Sequence, residues 1–269
     1  MRIVRTAAEV RDALTEGRSS GATIGLVPTM GALHAGHISL LDAARGSSDT
    51  VVLSLFVNPA QFGQAEDLDR YPRDEAGDAE MAAAAGVDLL FAPPTEEMYP
   101  DRFDTWVEPG KIGTFLEGVA RPGHFRGVAT VCVRLFNIVE PNRAFFGRKD
   151  AQQVAVVKQV VRDLGLPVEI VACPTVRDAD GLALSSRNRF LSAEEHAVAL
   201  TLPRALQAGL AAHRAGDDPV RAARRLLDVE AGLRVEYVAE VDLDGPTLAA
   251  AVVVGSTRLI DNVRLIEEA

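Results

Sequence analysis

Two histidines three residues apart, His34 and His37, flank Ala35-Gly36 and follow Pro28-Thr29-Met30-Gly31-Ala32-Leu33. Imidazoles can donate hydrogen bonds to phosphate oxygens as charge develops on them. An apolar, β-type run over 22–27 precedes the pair, and Ile38, Leu40, Leu41 and Ala44 follow at helical spacing. A strand, a glycine-bearing turn and a helix start, in that order, make an anion site, because the N–H groups of the first turn and the helix dipole face the ligand. Two histidines at this spacing also occur as a metal pair or as ordinary half-buried residues. The preceding strand and the placement of Pro28, Gly31 and Gly36 favour a nucleotide-phosphate site, and no nearby carboxylate completes a metal set.

Lys149 is the next candidate. It lies in Gly147-Arg148-Lys149-Asp150, where glycine admits close backbone approach and an ammonium suits phosphate. A lysine at a helix start sits against the dipole, which points to a bound anion; the alternative is an exposed lysine. Gln61 and Gln153 follow strand-like runs, and an amide can orient the hydroxyls and carboxylate of a small substrate. Read alone, each is more often an ordinary surface glutamine, and Asn58 before Pro59 is more often a turn former than a ligand. In Asp180-Gly181-Leu182-Ala183-Leu184-Ser185-Ser186-Arg187-Asn188, Arg187 offers a cation to a triphosphate, with Ser185 and Ser186 as donors or as helix caps. There is no Gly-x-x-x-x-Gly-Lys-Ser/Thr element and no Gly-x-Gly-x-x-Gly after a strand.

The elements that must hold these residues are legible in outline. Helices are expected over 6–16 (Thr6 and Glu9 forming a capping box), 36–46, 74–85, 128–139 and 152–164. Strands are expected over 22–27, 50–57, 87–92, 143–147 and 168–173. This alternation implies βαβ units and a parallel sheet, with ligands beyond the carboxyl ends of the strands. Residues 95–126 are irregular, with pieces such as Arg121-Pro122-Gly123-His124-Phe125-Arg126. After about 176 the pattern changes: one long helix over 193–214, another over 219–229, and strands over 233–243 and 251–265. The expected fold class is therefore α/β, a parallel-sheet domain over 1–175 followed by a small α+β domain over 176–269.

Composition narrows the function. With 48% hydrophobic and 25% charged residues, the chain can bury an ordinary globular core. A net charge of −10 argues against a nucleic-acid partner, which calls for a basic face. Cys132 and Cys173 are too few for a disulfide framework, and both lie in apolar runs that suit buried thiols. No run approaches the ~20 apolar residues that span a bilayer, and no apolar signal region opens the chain. The expectation is a cytoplasmic protein without a membrane partner.

The His34-Ala35-Gly36-His37 element resembles the HxGH signature of the nucleotidylyltransferase superfamily. Within it, the chain resembles the pantothenate synthetase (pantoate–β-alanine ligase) family. The likeness rests on Pro28 to His37, on Phe56-Val57-Asn58-Pro59-Ala60-Gln61-Phe62-Gly63, and on Glu66-Asp67 with Tyr71-Pro72-Arg73. It continues in Phe145 to Gln153 and in Gly181 to Asn188. HxGH alone is specific only to the superfamily; the ordered set is specific to the family.

The resemblance implies a Rossmann-type domain followed by a C-terminal lid. It also implies ATP- and Mg²⁺-dependent condensation of pantoate with β-alanine through a pantoyl adenylate, usually by a homodimer. Carried over by position, Met30, Gly31, Ala32, Leu33, His34, Ala35, Gly36 and His37 would line ATP, with His37 as proton donor. Gly147, Arg148, Lys149, Asp150, Val176, Leu184, Ser185, Ser186 and Arg187 would complete the nucleotide site. His34, His37, Lys149 and Arg187 would form the catalytic set. Gln61, Gln153 and Asn58 would serve pantoate and β-alanine, and the residues holding Mg²⁺ are unassigned. The segment ending at Arg187 carries no lysine, unlike the KMSKS loop of the related synthetases, so Lys149 and Arg187 must supply that charge. The competing readings are a nucleotidylyltransferase moving AMP onto a phosphate-bearing substrate, and a non-catalytic nucleotide-binding regulator.

Overall fold

Strands β1 (Arg2–Val4), β2 (Ile24–Thr29), β3 (Thr50–Leu55), β4 (Leu89–Phe91), β5 (Arg143–Gly147) and β6 (Glu169–Cys173) form one parallel sheet in the order β1-β4-β3-β2-β5-β6. The computed structural model describes residues 1–63, 68 and 71–266, so Glu66-Asp67 of the motif match lies outside the described residues. The near-continuous apolar runs of β3 and β4 are buried except at the two ends of β3, as a sheet covered on both faces requires. Strand β1 is absent from the expectations above, because three residues are too few to show a period. It pairs with β4 in the register Arg2↔Leu89 to Val4↔Phe91.

Between the strands run α1 (Ala7–Ser19), α2 (Ala35–Arg45), α3 (Glu75–Ala84), α4 (Thr95–Met98), α5 (Glu117–Ala120), α6 (His124–Val139) and α7 (Ala151–Asp163). The Thr6–Glu9 capping box is formed at the start of α1. Helix α6 begins four residues earlier than its apolar period suggests, at His124, after Gly123 in the left-handed region.

Contacts divide the chain into two units, Met1–Gly147 with Gln152–Cys173, and Arg148–Ala151 with Pro174–Ala269. The second unit holds α8 (Ala193–Ala199), α9 (Thr201–Arg214), α10 (Pro219–Leu227) and the antiparallel sheet β7 (Leu233–Asp242), β8 (Pro246–Val254), β9 (Thr257–Arg264). Its own core includes the fully buried Leu202, Leu206, Leu227 and Leu248.

Two expectations are corrected here. The single helix over 193–214 is two helices: Leu200 closes α8, and Pro203 lacks the N–H that a continuous helix would send to the carbonyl of Ala199. The apolar period crosses that break, which hid it. The strand over 251–265 is most of a hairpin, since Gly255 at φ +57° turns the chain between β8 and β9. Residues 248–252 are buried without alternation, so no period marked the start of β8.

Cys132 and Cys173 are both buried in the first unit, and neither is in a disulfide. Burial pushes the Cys132 thiol up to about 12, far from thiolate formation near neutral pH. Both thiols should react with a chromogenic disulfide reagent only after denaturation; titration of two thiols in the native protein would contradict this packing.

Candidate active site

The site starts where the first sheet splits. Strand β2 is the switch point: one crossover leads from it to β3, and the chain later returns to its other side for β5. Pairing with β5 covers only Gly25 and Leu26, whereas pairing with β3 continues through Pro28 to Thr29. Pro28 has no N–H for a second ladder, so a central strand accepts it only where one neighbour has departed. Beyond the carboxyl end of β2 lies the crevice in which open α/β sheets bind ligands, and residues 30–34 emerge into it.

His34 and His37 lock one another at the start of α2. His34 is the N-cap, and its Nδ1 accepts the Gly36 N–H at 3.1 Å; His37 Nδ1 accepts the His34 N–H at 3.3 Å. This is a capping box made with imidazoles in place of the usual hydroxyl and carboxylate. Because each Nδ1 accepts, the proton of each neutral ring is on Nε2, and the backbone itself selects the tautomer. The ring centroids are 4.1 Å apart. Both rings are thereby set with Nε2 as the protonated nitrogen.

The expectation of open backbone N–H groups around this turn is corrected. The His37 and Ile38 N–H groups both bond the His34 carbonyl, at 2.8 and 3.1 Å. The Ala32 and Leu33 N–H groups donate to the two carboxylate oxygens of Asp78, at 2.9 and 2.7 Å. Asp78 is 5% exposed and comes from the first turn of α3. Sequence reasoning missed it, since acidic residues at a helix start read as dipole partners.

Gln61 is held from every side. It closes a short 3-10 turn (Pro59–Gln61), is 8% exposed, accepts from Asn58 Nδ2 at 2.9 Å and donates to Met30 Sδ at 3.2 Å. Asn58 is tied into the same network. Its Oδ1 accepts from Tyr99 Oη and Ala60 N, and its Nδ2 donates to Gln61 Oε1 and the Gly127 carbonyl. All four amide positions are spent on protein partners in a fully buried side chain. Burial keeps the Tyr99 hydroxyl well above its ordinary pKa, so it stays a donor to Asn58.

His124 fixes the backbone of the same residue. Arg121 Nη1 lies 3.0 Å from His124 Nε2, and a guanidinium only donates. Nε2 therefore accepts, and Nδ1 carries the proton given to the Gln61 carbonyl at 2.9 Å. Gly127, one turn further on, allows α6 to approach: a Cβ there would stand 2.3 Å from the Ala60 carbonyl oxygen. The irregular stretch 121–127 thus has a task that no periodicity disclosed.

The adjacent glutamines of α7 divide. Gln152 is buried, donating to the carbonyls of Ile112 and Phe115 at 2.9 and 2.8 Å and accepting from Glu117 N, so it is structural. Gln153 is half-buried. The first unit also contains a cavity of about 290 Å³ lined by Met30, Phe56, Val57, Arg73, Asp78 and Pro93 among others.

In the second unit, Lys149, Ser185 and Arg187 line one small pocket of about 20 Å³, together with Arg258 and Asp261. Arg148, Lys149 and Asp150 form a 3-10 turn, with Lys149 Nζ 3.7 Å from Asp150 Oδ1. Ser185 does cap: its Oγ accepts the Arg187 N–H at 3.2 Å, at the start of the 3-10 turn Ser186–Phe190. Leu184 N donates to the Val176 carbonyl at 2.9 Å, joining those two assigned positions. Among the described residues no group of three or more His, Cys, Asp or Glu is placed to hold a metal ion, and no helix is long and apolar enough to cross a membrane.

The sequence matches the family model described as Pantoate-beta-alanine ligase over residues 2–264. The chain belongs to the pantoate–β-alanine ligase family. A pantothenate synthetase from Moorella thermoacetica is 51% identical over 279 residues, covering 98% of this chain and 99% of that one. One from Rhizorhabdus wittichii is 52% identical over 276 residues, covering 98% of each. The crystal structure of pantothenate synthetase from Thermus thermophilus superposes with a TM-score of 0.93 at 46% identity, covering 99% of this chain and 100% of that chain. That of the pantoate-beta-alanine ligase from Francisella tularensis, complexed with beta-gamma ATP and β-alanine, has a TM-score of 0.83 at 34% identity, covering 100% and 99%. A pantoate–β-alanine ligase thus carries its HxGH element as a self-capped imidazole pair braced by Asp78.

Replacing Asp78 with alanine leaves two buried N–H groups without their carboxylate. Denaturant unfolding should show a loss on the order of 2–3 kcal/mol, the scale of charge-assisted bonds. A change below a few tenths would mean that the turn does not depend on it.

Proposed function

We propose that this ligase condenses pantoate with β-alanine at the expense of ATP, releasing AMP and pyrophosphate. The observation that carries the reading is the imidazole pair at the switch point, with both Nε2 donors selected by the backbone. A carboxylate is a poor acyl donor. Attack of the pantoate carboxylate on the α-phosphorus of ATP forms a mixed anhydride and expels pyrophosphate. The β-alanine amine then attacks the acyl carbon, forming the amide, and AMP leaves with the acyl–oxygen electron pair.

His34 and His37 stabilise charge on the phosphates in the first step, with His37 as proton donor, and Lys149 and Arg187 add cations from the second unit. Met30 to His37, Gly147 to Asp150, Val176 and Leu184 to Arg187 make up the nucleotide-binding set. Gln61 and Gln153 hold pantoate, while Asn58 acts through Gln61. Magnesium enters with the nucleotide as part of the substrate, held chiefly by phosphate oxygens, in keeping with the ion's habit. A cytoplasmic homodimer completes the proposal.

Incubation with ATP, pantoate and β-alanine should yield pantothenate, AMP and pyrophosphate in equal amounts; ATP consumption without amide formation would reject the ligase reading. His37→Ala or Lys149→Ala should lower turnover about 10²- to 10³-fold, the usual range for removing one preset donor; the melting temperature should be unchanged in Lys149→Ala and fall by a few degrees in His37→Ala, which also loses the cap on the His34 N–H. Gln153→Ala should raise KM for pantoate and leave KM for ATP alone. An effect confined to ATP would reassign that amide.

A further inference from the structure

We infer that Asn262, on β9, is a positioning residue for Lys149, acting through the backbone of the turn that carries it; this rests on the reading of Lys149 as a phosphate-binding cation. The Asn262 Nδ2 donates to the carbonyls of both Arg148 and Lys149, each at 2.9 Å. Both partners can only accept, so the orientation of the carboxamide is fixed by chemistry. Asn262 is 8% exposed, and its own N–H is tied to Asp261 Oδ1 at 2.8 Å.

Asp261 anchors the strand in turn. Its carboxylate, 1% exposed, takes a two-pronged ion pair from Arg177 at 2.6 and 3.0 Å. Arg177 also reaches the Gly181 carbonyl and pairs across to Ala183, on the loop that leads into Ser185-Ser186-Arg187. Asn188 Nδ2 closes that loop on the Ala183 carbonyl at 3.0 Å. Two consecutive residues of β9 therefore brace the two segments that bear Lys149 and Arg187. A short 3-10 turn has few internal bonds of its own, and the paired donors of Asn262 supply what would otherwise leave the lysine's backbone loosely placed. Preset geometry matters for the charge that appears on the phosphates, and a displacement near 1 Å suffices to lose about 100-fold.

The test is a double-mutant cycle read on separate steps. Asn262→Ala and the isosteric Asn262→Asp, which removes both donors, should each slow pantoate-dependent ATP–pyrophosphate exchange about 10- to 100-fold. Single-turnover transfer from preformed pantoyl adenylate to β-alanine should stay within about twofold of wild type, a split that general loss of structure would not give. In a Lys149→Ala background, the further effect of Asn262→Ala should shrink below about threefold, because coupled residues are non-additive. Full additivity there, equal slowing of both steps, or normal exchange in both Asn262 variants while Lys149→Ala is impaired, would overturn the inference. Normal exchange in Lys149→Ala itself would instead remove the reading beneath it.

Discussion

Backbone pairing between β2 and β5 stops at Leu26, while pairing between β2 and β3 continues to Thr29. That asymmetry is the constraint from which the first unit's chemistry follows. A parallel sheet without it would close over the end of β2, and the loop that follows would have no crevice to enter. Pro28 enforces the split, because it cannot supply the missing ladder bond. The turn after it then needs its backbone satisfied locally, and Asp78 does so from α3.

A common economy runs through the side chains around that opening. Residues whose chemistry suits a ligand are oriented by hydrogen bonds to their neighbours. His34 and His37 orient one another through backbone N–H groups. Asn58 spends its whole amide on Gln61 and the turn around it, and His124 holds the same residue by its carbonyl. Such networks are stabilising only when complete, because an unpaired polar group in a low-dielectric interior is costly. The single arginine at 121 matters for this reason: it decides which nitrogen of His124 bears the proton.

Much of this was legible in the chain and some was not, for identifiable reasons. The βαβ alternation, the His34–His37 element and the β5 strand show directly, because apolar period and turn residues report on local geometry. The division between α8 and α9 does not, since Pro203 interrupts the hydrogen bonding without disturbing the apolar stripe. Asp78, His124 and Gly127 were invisible as site residues because their partners lie 45, 63 and 67–69 positions away in sequence. Asn58 is a different case: its motif places it beside Gln61, and only the bond geometry shows that its amide is filled by protein partners.

The grouping of Arg148–Ala151 with Pro174–Ala269 means that the boundary between the units is not a point in the sequence. A chain cut after Cys173 would retain Lys149 but lose the strand that grips its turn. Recombination between related genes at that junction would join a lysine turn from one parent to an Asn262 from another. The turn and β9 therefore hold together as one structural piece, joined across more than one hundred residues of intervening chain.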